Sequence, residues 1–340
     1  MSNEKYPDIL DPITLSDSTS DIHTQNLICQ LSYLNVVAIH GDDAQKFLHG
    51  QLINDVEGLA DNSLQLNGYC DPKGRLLALF HLIRLGDKYL MLIDQSISKS
   101  VIKRLQMFVL MAEVEFEPST LKCIGFVQNN TQKTPTLIKE ASLASSTVCS
   151  NNNGLILALL QDKPARYILI GDSSQLGQAW NSLSKNNLNC DDTVWHLLNV
   201  RLGQPSLAGK TQGAFVPQMM NLDLINGLSF SKGCYPGQEV VARMHHLGKL
   251  KRRMYRLHIR CEEQPLAGDG IYSLNSDINA PQGHIESVGK IVSAVKINDD
   301  EFDALAVLQI KHKEDSNLYL DDGDDTTLSI TDLPYKIKES

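Results

Sequence analysis

The sequence lacks any apolar run long enough to cross a membrane as a helix. Such a crossing takes roughly 20 predominantly apolar residues, and the most apolar region here, 76–85, is broken by His81 and Arg84. The N-terminal stretch has neither the basic start and apolar core of a secretory signal nor the Arg-rich pattern of a transit peptide. We therefore expect a cytoplasmic protein with no membrane partner.

The cysteines lack a spacing that would mark a metal centre or a disulfide framework. There are seven of them, they are scattered, and no pair has the C-x-x-C spacing of a zinc knuckle or a dithiol redox motif. In a reducing compartment such thiols stay reduced, and buried cysteines act as small apolar side chains. The sequence therefore predicts no stable metal and directs attention to single thiols.

Positive charge is scarce overall, since the 340-residue chain has a formal net charge of −9. That balance disfavours bulk binding of nucleic acid. One stretch departs from it, with no Asp or Glu and the basic residues Arg243, Lys249, Lys251, Arg252, Arg253, Arg256 and Arg260. This concentration favours either a small anionic ligand or a solvated charged strand, and direct tRNA binding is not expected to dominate.

The order of apolar patterns predicts an α+β protein whose C-terminal part is rich in strands. Expected strands lie at 36–39, 69–93 (with turns at 71–74 and 86–87), 114–116, 155–160, 167–170, 254–259, 288–297 and 304–310. Expected helices lie at 44–52, 97–111, 174–183 and 193–202, and a loop is expected at 128–153. We therefore place a flexible segment at 1–27, an α+β region at 28–248 and a small β-barrel at 249–340.

The segment 232–239, Lys-Gly-Cys-Tyr-Pro-Gly-Gln-Glu, concentrates polar chemistry around one thiol. Gly233 and Gly237 permit a tight turn, and the Pro-Gly pair favours type II geometry because glycine accepts a positive φ. The residues that follow predict a helix start, which would put Cys234 just before a helix N-terminus and two residues from Lys232. The helix dipole and the cation both favour a thiolate. We expect Cys234 to be the functional thiol, assisted by Lys232; a buried cysteine in a turn is the alternative.

The run 227–243 around this thiol resembles the signature of the YgfZ-type folate-binding proteins. These are bacterial relatives of the glycine-cleavage T-protein, an aminomethyltransferase. Weaker matches occur at 70–75, 215–222 and 332–335, so the resemblance covers roughly residues 30–340.

The resemblance implies a T-protein-like architecture of three parts around a central channel, with 28–248 forming two interleaved subdomains. It also implies a bound tetrahydrofolate or related reduced folate. The implied partners are iron–sulfur enzymes, including those that thiomethylate tRNA, whose synthesis or repair the protein would support. No turnover of its own is expected.

The same resemblance assigns residues to the folate. Trp195 matches a family tryptophan whose indole could stack on the pterin, although packing of this side chain in the core is an equal alternative. Leu34 stands where a related member has a second tryptophan, so it offers apolar contact without indole stacking. The full set expected to bind the cofactor is Trp195, Leu34, Gly233, Tyr235, Gly237, Gln238, Glu239 and Arg243.

Residues 74–80 separate this chain from the aminomethyltransferases. Those enzymes carry an aspartate near this strand, whereas Leu77 and Ala78 stand here and the stretch holds no carboxylate. A group that orients an amine or a folate nitrogen needs charge or a hydrogen bond, so aminomethyl transfer is not expected. Two alternatives remain open at this point: a folate-dependent one-carbon transferase or demethylase, and a tRNA-binding module.

Overall fold

A computed structural model gives the structure of the chain. It describes residues 21–150, 153–207, 209–246, 250–274, 285–315, 317–320 and 326–337. The chain divides into two compact units. Unit 1 comprises Met1–Asn67 and Phe80–Trp195, and unit 2 comprises Gly68–Leu79 and His196–Ser340. The domain boundaries expected near 27 and 248 stay predictions.

Strands make up most of the regular structure of the described residues. They are β1 (Leu27–Gln30), β2 (Leu34–His40), β3 (Ser63–Cys70), β4 (Leu76–Leu85), β5 (Lys88–Asp94), β6 (Glu115–Pro118), β7 (Lys122–Gln128), β8 (Val148–Ser150), β9 (Ile156–Asp162), β10 (Ala165–Gly171), β11 (Leu188–Cys190), β12 (Arg252–Arg260), β13 (Gly270–Leu274), β14 (Ile285–Lys296), β15 (Glu301–Gln309), β16 (Leu318–Leu320) and β17 (Thr327–Thr331). The helices are α1 (Ala44–Gln51), α2 (Gln95–Gln106), α3 (Thr136–Ala141), α4 (Ser173–Leu183), α5 (Asp192–Arg201) and α6 (Gln238–His246).

These strands form three sheets. Sheet A has the order β11-β1-β7-β10-β9-β8, and its β1–β11 pair is parallel while the other pairs are antiparallel. Sheet B has the order β3-β4-β5-β2-β6. Sheet C has the order β16-β13-β14-β15-β12-β17, and its edge strands β16 and β17 approach each other, so it is nearly closed.

The core of sheet A forms because β9 and β10 are almost continuously apolar and α4 covers one sheet face. Leu176 and Trp180 of α4 pack there against Leu169. The helix begins sharply because the Asp172 side chain accepts a hydrogen bond from the Gln175 amide at 2.8 Å, and the Gln175 side-chain oxygen accepts one from the Asp172 amide. Such a capping box satisfies two helix-end amides reciprocally.

Sheet C encloses a second core within unit 2. Alternating side chains of its strands meet inside, among them Leu257, Ile291 and Phe302, all of which are buried. The mixed helices and sheets and the barrel-like C-terminal sheet confirm the predicted α+β class with a small C-terminal β-barrel. Within the described residues, no helix is both long and apolar enough to span a membrane.

The sequence predictions fail at two places in unit 1. The helix predicted to reach residue 111 ends at Gln106, because turns follow and Leu110 takes a positive φ of 46°. Phe108 and Met111 are therefore exposed rather than packed. The loop predicted at 128–153 contains α3 and β8. Because the segment 128–153 is mostly polar, these two short elements were not predicted. Their few apolar residues pack on sheet A.

Candidate functional site

Cys234 differs from the other cysteines in its exposure. All seven lie in the described part of the chain: Cys234 is exposed, Cys149 is half-buried, and Cys29, Cys70, Cys123, Cys190 and Cys261 are buried. Burial raises the pKa of Cys123 to about 12 and also raises the pKa of Cys70. The buried thiols are therefore inert apolar side chains, as expected for structural cysteines.

Two buried side chains hold the loop on which Cys234 stands. Lys232 and Tyr235 are each 7% exposed, whereas Gly233 and Cys234 between them are exposed. The Lys232 Nζ lies 5.1 Å from the centre of the Tyr235 ring, within the range of a cation–π contact. Burial raises the pKa of Tyr235, so the phenol stays neutral. The exposed thiol of Cys234 is therefore held between two buried residues, Lys232 and Tyr235.

The glycine turn of this loop packs on the earlier glycine turn of the sequence. Gly237 has a φ of 84° and Gly74 a φ of 72°. A Cβ on Gly237 would lie 2.5 Å from the Asp71 carbonyl oxygen and 2.6 Å from the Gly74 Cα. The Asp71 carboxylate fixes its own turn by accepting hydrogen bonds from the amides of Lys73 at 2.8 Å and Arg75 at 2.9 Å. Unit 2 thus joins two motifs that stand far apart in the sequence.

Helix α6 follows this turn directly, as the sequence predicted. The Gln238 amide donates to the Tyr235 carbonyl at 3.1 Å, and its side chain donates to the Lys232 carbonyl at 3.4 Å. The exposed side chains of Glu239 and Arg243 form an ion pair at 2.6 Å along the helix. Gln238 therefore ties the start of the helix to both ends of the Cys234 loop.

Gln218 belongs to the 215–222 match, and its buried side chain holds the middle of α6 in place. Its Nε2 donates to the Val241 carbonyl at 2.6 Å, and its own carbonyl accepts from Arg253 at 2.8 Å. At the helix end, the rings of Phe230 and His245 stack with centroids 3.7 Å apart. The helix is consequently held along its length within unit 2.

The C-terminal match at 332–335 has a structural role. The Tyr335 hydroxyl donates to the Gly203 carbonyl at 2.8 Å and accepts from the Asn221 amide at 3.3 Å. Burial raises the pKa of Tyr335 to about 12, so the hydroxyl remains a donor. The tail is thereby fastened beside the residues that support α6.

Four of the seven basic residues of this stretch form ion pairs, while Lys251 and Arg252 are exposed. The pairs and their shortest distances are Arg243–Glu239 (2.6 Å), Arg253–Asp223 (2.6 Å), Arg256–Asp303 (3.0 Å) and Arg260–Glu301 (2.7 Å). Arg253 binds its carboxylate through two nitrogens and is itself buried. Lys249 lies outside the described residues. These contacts favour the interpretation of a paired, charged strand over that of a free anion-binding patch.

Trp195 and Leu34, the residues predicted to contact folate, both lie in unit 1. Trp195 is 2% exposed. One face of its indole is covered by the Arg166 guanidinium, whose Cζ is 4.0 Å from the ring centroid. Its edge lies over Gly125, where a Cβ would come within 2.5 Å of the ring. Leu34 is half-buried at the start of β2.

Sequence reasoning missed the buried polar group around Arg166. This residue is 0% exposed, and burial lowers its pKa to about 10, opposed by Tyr33 and Cys29. Burial, assisted by Arg166, lowers the pKa of His81 to about 4, so this imidazole is neutral. Burial also raises the pKa of Tyr33. The only signal was an arginine in the apolar pattern of β10, which ordinarily indicates a solvated strand end.

Comparisons with known proteins find relatives that cover most of the chain. The chain is 30% identical over 302 residues to the tRNA-modifying protein YgfZ of Colwellia psychrerythraea, covering 86% of this chain and 91% of that protein. It is 29% identical over 326 residues to the protein of that name in Aliivibrio fischeri, covering 96% and 98% of the two chains. No protein-family model matches it.

A solved structure shares the fold. The crystal structure of glycine cleavage system aminomethyltransferase T from Bartonella henselae matches with a TM-score of 0.72 at 11% identity, over 95% of this chain and 90% of that one. The fold is therefore that of the T-protein. With 30% identity to the Colwellia protein over 86% of this chain, it follows that this chain belongs to the YgfZ family.

Proposed function

We propose that this protein is a folate-binding accessory factor that supports the synthesis or repair of iron–sulfur enzymes, including those that thiomethylate tRNA. The observation that carries the proposal is the exposed Cys234 on a loop fixed by buried Lys232 and Tyr235. Relatives of this chain are named tRNA-modifying protein YgfZ. A solved structure with the same fold is an aminomethyltransferase.

The role proposed for Cys234 is transient. A thiolate can hold or relay iron, sulfide or an oxidised adduct, but a cluster normally takes four cysteine ligands. Five of the other cysteines are buried, and Cys149 is half-buried. The remaining ligands would therefore come from the client enzyme or a small thiol.

The proposed folate contacts need a side-chain movement in unit 1. Trp195 is enclosed, and Arg166 covers one of its faces, so direct stacking of a pterin would require Arg166 or the indole to shift. Leu34 offers apolar contact at the start of β2. Titration of tetrahydrofolate into the wild type and Leu34→Trp tests this half of the proposal. A gain of about 1–3 kcal/mol is expected from a new stacking surface, by analogy with base stacking, and unchanged binding would remove Leu34 from the site.

The two alternatives have less support. A one-carbon transferase or demethylase needs an acid or base, yet the stretch after the first glycine turn is apolar, with Leu76 and Ala78 fully buried. A tRNA-binding module needs available cations, yet Arg253, Arg256 and Arg260 are ion-paired. A steep loss of tRNA affinity with added salt would favour that second alternative.

Complementation tests the proposal. In a strain that lacks the gene, Cys234→Ser should leave thiomethylated tRNA and iron–sulfur enzyme activities at the level of the deletion, while the purified variant keeps the wild-type melting temperature. Cys149→Ser, which changes a half-buried cysteine, is the matched control and should restore both. Full restoration by a folded Cys234→Ser protein would overturn the role of the thiol.

A further inference from the structure

Three potential metal ligands meet at the edge of sheet B in unit 1. His40 is the last residue of β2, and Glu115 and Glu117 lie on the neighbouring edge strand β6. In the antiparallel register His40 is opposite Glu115, and Ala38 is opposite Glu117. Because side chains alternate along a strand, the three groups share one face of the sheet.

The spacing of one donor pair, His40 and Glu117, suits a shared cation. One ligand atom from each residue lies within 4.8 Å of the other two. The His40 Nε2 and the Glu117 Oε2 are 3.4 Å apart, longer than the roughly 2.7–2.9 Å of a charge-assisted hydrogen bond. Two ligands on a tetrahedral Zn²⁺, with bonds of about 2.0–2.1 Å, stand about 3.3 Å apart.

The charges of this cluster are unbalanced. Glu115 and Glu117 are both exposed and point to the same side, an arrangement in which like charges repel. Across the described ranges, no Lys or Arg forms an ion pair with either carboxylate; the contact of Glu117 is with His40. A divalent cation would remove this repulsion.

His40 also lines a cavity of about 450 Å³. Asp42, Gln45 and Tyr89 form other parts of its wall. A Zn²⁺ with three protein ligands keeps a fourth position for water or an added ligand. The cavity borders His40 alone of the three ligands, and Arg84 and Lys88 also line it.

We propose that His40, Glu115 and Glu117 form a binding site for a first-row divalent cation. The donor set of one imidazole and two carboxylates suits Zn²⁺ or Mn²⁺ and differs from thiolate sites that select softer ions. This site is independent of Cys234 and of the proposed folate contacts. The sequence predicted no metal. This site was missed because its ligands come from two strands separated by more than seventy residues of sequence.

Calorimetric titration of ZnCl₂ into the full-length Cys234→Ser protein tests the site without the exposed thiol. One Zn²⁺ per chain is expected, with affinity reduced at least 30-fold in His40→Gln and in Glu117→Gln. Co²⁺ in place of Zn²⁺ should give visible bands without a sulfur-to-metal charge-transfer band, which excludes binding by the remaining cysteines.

His49 supplies the matched control. It also lies between two carboxylates, but its Nδ1 faces Asp55 at 3.3 Å and its Nε2 faces Glu57 at 3.9 Å. Since the two nitrogens point away from each other, one ion cannot use both, and His49→Gln should bind Zn²⁺ like the parent. Equal binding by the parent and Glu117→Gln, equal loss in His49→Gln, or no binding by the parent would each overturn the proposal.

Discussion

Unit 1 buries the polar group around Arg166, whereas unit 2 exposes the thiol of the Cys234 loop. In the first, Arg166 and Trp195 are enclosed, and the neutral His81 is half-buried. In the second, buried Lys232 and Tyr235 leave Cys234 exposed. Enclosed charge needs packing around it to remain stable, whereas a displayed thiol needs only a rigid support. The two regions should therefore respond differently to mutation.

Trp195→Ala should cause the largest loss of stability. Removal of an enclosed indole costs about 3–5 kcal/mol, because it leaves a cavity, and here it also uncovers the Arg166 guanidinium. Chemical denaturation measures the change. Trp195→Phe is the control, since it keeps an aromatic face for Arg166 and should cost less. Equal stability of Trp195→Ala and wild type would show that this region does not depend on enclosure.

Gly237→Ala should have a smaller effect, confined to the displayed loop. A residue with Cβ at positive φ costs about 1–3 kcal/mol, and this Cβ would also meet the backbone of Asp71 and Gly74. Gly213 provides the comparison, since its φ is 72° but a Cβ there would meet no atom within 4 Å. In thermal melts, Gly237→Ala should have a lower melting temperature than Gly213→Ala. The reverse ranking would mean that the contact between the two glycine turns is unimportant.

A pH-dependent effect is expected from acid titration of His81. Its pKa is lowered to about 4 in the folded chain, while an unfolded histidine titrates near 6.5. The unfolded state therefore binds the proton first, and stability contributed by neutral His81 falls as pH drops from about 6.5 to about 4. His81→Leu should lose less stability than wild type over that interval in denaturation at several pH values. Parallel pH profiles for the two proteins would place His81 in contact with solvent.

Local signals account for what the sequence predicted well. The Lys-Gly-Cys-Tyr-Pro-Gly run carries its own turn and helix-start preferences, so the loop and α6 followed from adjacent residues. The apolar periods of β9, β10 and β15 likewise marked their strands. The packing of Gly237 on Gly74 and of Arg166 on Trp195 was not predictable, because each joins residues distant in sequence. The early end of α2 was missed because the apolar residues after Gln106 continue the helical pattern without packing.

The central claim is that Cys234 is the displayed thiol of this protein. Limited alkylation with iodoacetamide, followed by mass spectrometry of each cysteine peptide, measures it directly on the folded chain. Cys234 should be labelled first, with Cys149 slower and the five buried cysteines labelled only after unfolding. Labelling of Cys234 no faster than that of buried Cys29 or Cys123 would contradict the account.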